Sequence, residues 1–147
     1  MAPVVARKVW SDRDLAVRQR GWAPSSLPAM RTQVGAITFD AADPEKLASF
    51  WAAALDRPAR PARAVAGAWV LPEGESGPMM LFLPVPEPKT AKNRCHVDLH
   101  TGALQPELER LEALGATVVE HHHDPTHWVV LRDVEGNELC LVEDSSV

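Results

Sequence analysis

The sequence predicts an α+β fold built from two consecutive βαβββ units, and three observations carry that reading. Within residues 33–84 an alternating apolar stretch is followed by a helical repeat and then by three more strand-like stretches. The same order recurs from Cys95 to Glu143, and Leu47 and Phe50 find counterparts in Leu108 and Leu111, each 61 residues on. Finally, 147 residues with 46% hydrophobic and 24% charged side chains suit one globular domain and exclude wholesale disorder.

Each element has its own local reason. VGAITFD (34–40) alternates as a strand, with Ile37 and Phe39 on one face and Ala36 and Thr38 on the other. Asp43-Pro44 is a helix opening, an N-cap followed by a proline whose fixed φ fits the first helical position. Leu47, Phe50, Trp51, Ala54 and Leu55 recur at helical spacing until Pro58. Strands are expected near 60–65, 68–72 and 79–84, with Gly74 to Gly77 as the turn between the last two. In the second unit CHVDLH (95–100) is the strand and Pro106 to Leu114 the helix, closed by Gly115. Strands at 117–122, 127–132 and 137–143 complete it, the last two joined by a turn at Asp133 to Gly136. The domain so defined spans 33–144. Residues 1–32 form a leader with Pro3, Pro24 and Pro28 and one short helix expected from about Asp12 to Arg20.

Composition removes several function classes. The longest mostly apolar run, Ala64 to Leu71, has about half the length of a membrane span, and no signal peptide is read at the start. Net charge is −5 and uneven: the leader carries +4 and the remainder −9. An acidic body lacks the clustered Lys and Arg that nucleic acid requires. Cys95 and Cys140 form no CxxC pair and no disulfide framework, which favours a reducing, cytoplasmic setting.

Four stretches, ITFDAADPEKLASFW (37–51), NRCHVDLH (93–100), LERLEALGATVVE (108–120) and LRDVEGNELCLVE (131–143), stand in an order that resembles the vicinal oxygen chelate superfamily. The likeness is to its glyoxalase-like branch, which includes bleomycin-resistance-type proteins. The resemblance implies two curved sheets enclosing a ligand cleft, with the helices outside. It constrains chemistry poorly, since that scaffold serves lyases, isomerases, dioxygenases and proteins that only sequester a drug. Where metal-dependent relatives carry His and Glu ligands, this chain has Ala36, a position near Leu81, His96 and Cys140. Two of the four have no donor, so no metal and no other cofactor is expected.

The residues themselves offer another constellation. On a strand, His96, Asp98 and His100 share one face at about 6.5–7 Å intervals, opposite Val97 and Leu99. They read as a His–carboxylate acid–base pair, as a displaced His-x-His metal site, or as a hydrogen-bonded lining without chemistry. Cys140 shares the cleft-facing parity, and a nucleophilic role would need His96 or another cation beside it. Ala36, Thr38, Trp69, Leu81, Trp128 and Cys140 are the expected ligand-lining residues. His121-His122-His123 with His127 looks like a metal tract, but adjacent strand residues face opposite ways, so a solvated hairpin tip around Asp124-Pro125-Thr126 is expected. Two functions compete. One is a metal-independent lyase or isomerase using His96, Asp98 and His100, and the other is a binding protein that holds a small organic molecule or antibiotic unchanged. A small-molecule ligand is the expected partner, nucleic acid and membrane are not, and a homodimer is allowed.

Overall fold

A computed structural model describes residues 34–147. The leader and its expected helix lie outside the described residues. The elements follow the expected order: β1 (Ala36–Ala41), α1 (Pro44–Leu55), β2 (Arg60–Pro61), β3 (Trp69–Leu71), β4 (Met79–Pro84), β5 (Val97–Thr101), α2 (Leu104–Ala113), β6 (Thr117–His122), β7 (Trp128–Arg132) and β8 (Glu138–Glu143). Two four-stranded mixed sheets result, ordered β1-β4-β3-β2 and β5-β8-β7-β6. In each, the first strand runs parallel to the last and the other pairs are antiparallel, so the repeat read from hydrophobic periodicity is a repeat of topology. The sheets are curved and do not close on themselves.

Boundaries moved for identifiable reasons. Helix α1 is capped by Asp43, whose carboxylate accepts the Lys46 N–H at 3.0 Å, with Pro44 in the first turn. It stops at Leu55 because Asp56 adopts a left-handed φ of 49°, before Pro58 is reached. Strand β2 is only the two residues Arg60–Pro61, because the chain then turns back toward β3 through Gly67 at φ 77°. Helix α2 begins two residues before Pro106, which sits in the first turn where its missing donor is harmless. Gly115 closes it at φ 107°, and a Cβ there would stand 3.0 Å from Val134.

Both units share one apolar core. Phe39, Met80 and Phe82 from the first sheet and Val129, Leu131, Leu139 and Leu141 from the second join the helix-face residues Leu47, Trp51, Leu108 and Leu111. Polar contacts tie the units at the turn after β7. Trp51 donates its indole N–H to Asp133 at 3.2 Å, and Glu135 accepts the backbone N–H groups of Ala42 and Asp43 at 2.9 and 2.5 Å. Arg110 donates to the Ala53 and Ala54 carbonyls near the end of α1 at 2.8 and 2.7 Å. Arg57 is 8% exposed and donates to the carbonyls of Leu71, Pro72 and Pro78, pinning both ends of the β3–β4 connection.

Candidate functional site

The chemistry collects on the face of the second sheet turned away from the core. Val97, Leu99, Leu139 and Leu141 pack inward, so alternation sends Asp98, His100, Cys140 and Val142 outward. The parallel pairing of β5 and β8 sets Asp98 beside Cys140, and β7 sets Val130 on the other side of Cys140. His96 Nε2 lies 3.2 Å from Asp98 Oδ1, with both side chains about half exposed, at 48% and 51%. One donor atom from each of His96, Asp98 and Cys140 falls within 4.8 Å of the others.

The expected trio divides here. His100 Nδ1 turns to Asp144 Oδ2 at 2.9 Å, away from the His96–Asp98 pair. Asp144 is held down at about 2, chiefly by the Ser146 hydroxyl and then by His100. His100 is therefore one half of a sheet-edge pair, because β5 runs on to Thr101, whose carbonyl accepts the Asp144 N–H at 2.9 Å. The nucleophilic reading of Cys140 loses its basis too. Burial pushes the thiol up, and the Asp98 charge and hydrogen bond push it the same way, against a smaller opposing effect of Lys92. Cys140 thus stays a thiol that interacts with Asp98.

A group that the sequence reading missed borders this face. Glu138 precedes Cys140 by two residues and points to the same side, yet it is only 7% exposed. Its carboxylate accepts the Asn93 N–H at 3.0 Å, meets Lys89 Nζ at 3.1 Å and lies 3.7 Å from Arg132 Nε. The Asn93 N–H is the main reason its carboxyl falls to about 2, with Lys89 adding to it and burial opposing. Lys89 and Lys92, on the connection between β4 and β5, line a pocket of about 480 Å³ together with Val119, Val130 and Arg132. Val119 is the extra residue of a bulge between Val118 and Glu120, which leaves its side chain 46% exposed. The parity of Glu138 with Cys140 was a usable signal; the linker lysines had none.

The expected lining residues scatter. Trp128 and Cys140 flank Val130 on the open face, where Trp128 stacks on His122 with ring centroids 4.4 Å apart. Ala36, Thr38 and Leu81 lie side by side in the first sheet, on β1 and β4, and do not border the pocket. Trp69, expected on the ligand side, is instead opposite Phe82 and packs on the core, because the register of β3 puts it on the helix-facing side. Alternation holds in the histidine tract. His121 stacks on His123 at 6.3 Å while His122 faces Trp128 on the other side, and His127 pairs with Glu143 at 3.1 Å. Of the four positions expected to align with metal ligands, Ala36 and Leu81 have no donor atom, while His96 and Cys140, with Asp98 between them, are donor types that can hold a metal ion.

Comparison with known proteins rests on this framework. The sequence profile of the Glyoxalase-like domain matches residues 36–142. No curated protein sequence matches the chain significantly. Among solved structures, a glyoxalase/bleomycin resistance protein/dioxygenase family enzyme from Burkholderia phytofirmans PsJN is 12% identical, covering 76% of this chain and 98% of its own, with a TM-score of 0.62. A glyoxalase-related enzyme from Fulvimarina pelagi is 16% identical, covering 78% and 89%, at 0.60. The fosfomycin resistance protein FosX from Mesorhizobium loti is 13% identical, covering 78% and 94%, at 0.61. Such identities show a shared fold only. Among the described residues no helix is long and apolar enough to cross a membrane. By its matched profile, which covers both βαβββ units, the chain belongs to the glyoxalase-like domain family.

Proposed function

We propose that this protein binds a small organic molecule on the open face of its second sheet and acts on it without a metal, as a lyase or isomerase does. The observation that carries this reading is the His96–Asp98 pair at 3.2 Å, joined through Cys140 and Val130 to a pocket of about 480 Å³. That volume is in the range that holds a small organic ligand. With the Asp98 carboxylate 3.2 Å from Nε2 favouring the proton on that nitrogen, the imidazole is left with Nδ1 as its proton acceptor. Nδ1 takes a proton from an acidified carbon of the ligand. It then returns that proton to the far carbon of an adjoining C=C bond, which moves the double bond and is isomerisation, or the carbanion's electron pair forms a new C=C bond as a group on the adjacent carbon leaves with its bonding pair, which is elimination. Either course needs no redox partner.

A second reading has its own support. His96 and Asp98 are each about half exposed, so the described residues leave the pair open to water on one side, as suits a protein that sequesters its ligand unchanged. A thermal-shift screen of small organic molecules, followed by mass spectrometry of each hit after incubation, separates the two. Under the enzyme reading a hit changes mass or isomeric form with the native protein and is bound but unchanged by His96→Ala. Hits recovered unchanged from the native protein would leave only the binding role.

A further inference from the structure

We infer that the pocket bordered by Val130, two strand positions from the His96–Asp98 pair through Cys140, selects ligands carrying an anionic group, a carboxylate or a phosphonate, through Lys92 and Arg132. The inference rests on the small-molecule reading above and names the chemical class of the ligand. Three cations and three carboxylates border the pocket, so formal charge alone decides nothing. Their commitments do. Glu135 is occupied by the N–H groups of Ala42 and Asp43, and Glu138 by the Asn93 N–H and Lys89. Glu120 turns to His122 at 3.4 Å. The cations are less fully engaged. Lys92 has no ion-pair or hydrogen-bond partner among the described residues. Arg132 approaches Glu138 only with Nε, at 3.7 Å, and its two terminal nitrogens have no partner among the described residues. An ammonium and the free fork of a guanidinium lining one pocket match the oxygens of a carboxylate or phosphonate.

The position of these cations gives the proposal its chemical sense. Lys92 is close enough to Cys140 for its charge to act on the thiol, and Cys140 adjoins Asp98. A ligand anchored by its anionic end between Lys92 and Arg132 would lay its apolar part on Val130 and Val119. An electron-withdrawing group beside the reacting carbon is what proton abstraction by His96 would require.

Four probes of one shape test this on the full chain by ¹⁵N-resolved NMR: naphthalene-2-carboxylate, naphthalene-2-phosphonate, naphthalene-2-methylamine and naphthalene-2-methanol. Saturable shifts of the Ala91, Val130 and Arg132 amides with the two anions, and not with the amine or alcohol, are expected. Lys92→Gln should weaken anion binding about tenfold, the loss of one charge-assisted contact. Arg132→Gln should do at least as much, while Lys92→Gln leaves the melting temperature unchanged and so excludes a folding artefact. Preference for one anion over the other tells carboxylate from phosphonate chemistry, and either preference supports the proposal. Equal shifts with amine or alcohol would overturn the charge assignment and leave the small-molecule reading standing. An anion response that survives in Lys92→Gln and Arg132→Gln alike would overturn it as well.

Discussion

Replacing Glu138 by Gln tests whether the linker that borders the pocket is held by one buried carboxylate. The native carboxyl is lowered from 4.5 to about 2, first by the Asn93 N–H and then by Lys89, against the opposing effect of burial. A depression of that size corresponds to about 3 kcal/mol of preference for the charged form in the folded state. Lys89 and Arg132 keep contact with water, at 22% and 52% exposed, which screens their share, so about 2 kcal/mol is the expected contribution. Because the folded-state value is depressed, this stability is fully present above pH 4.5 and is lost as pH falls through about 2. Gln keeps an oxygen for the Asn93 N–H but turns an amide toward the Lys89 ammonium. Urea unfolding followed by tryptophan fluorescence should show Glu138→Gln destabilised by about 2 kcal/mol at neutral pH. The gap between native and variant should then close as the solution is acidified toward about pH 2. A variant as stable as the native protein at neutral pH, or a gap that stays constant with acidification, would refute the reasoning.

Other expectations follow from the same contacts. Arg57→Met removes a buried guanidinium that serves three carbonyls, and should cost about 2–3 kcal/mol in urea unfolding; an unchanged midpoint would mean those carbonyls find other donors. Cys95 is exposed while the Cys140 thiol is half-buried and pushed up, so a disulfide reagent at mildly alkaline pH should modify one thiol per chain quickly and the second slowly. Two equal rates would contradict the contact with Asp98. Elemental analysis of protein purified without a metal-affinity tag should find no stoichiometric divalent ion, and one equivalent held by His96, Asp98 and Cys140 would overturn the metal-independent reading.

Much of this protein is written in local chemistry. The alternation of Ile37 and Phe39 against Ala36 and Thr38, the cap at Asp43-Pro44 and the Leu108–Leu111 stripe each act within a few residues, so a one-dimensional reading recovers two βαβββ units and the inward face of nearly every strand. The outward parity of Asp98, His100 and Cys140 follows in the same way, as Glu138 would have done. Partners are another matter, because parity says which side a residue faces and not what stands beside it. That β5 lies parallel to β8, placing residue 98 against 140, is set by how both strands cover α2 and the common core. The same packing turned His100 toward Asp144, set Trp69 opposite Phe82, and brought Lys89 and Lys92 to one pocket with the bulge at Val119. Contacts between residues far apart in the chain depend on the burial of the whole core, which no single stretch of sequence contains, and the candidate site is made almost entirely of such contacts.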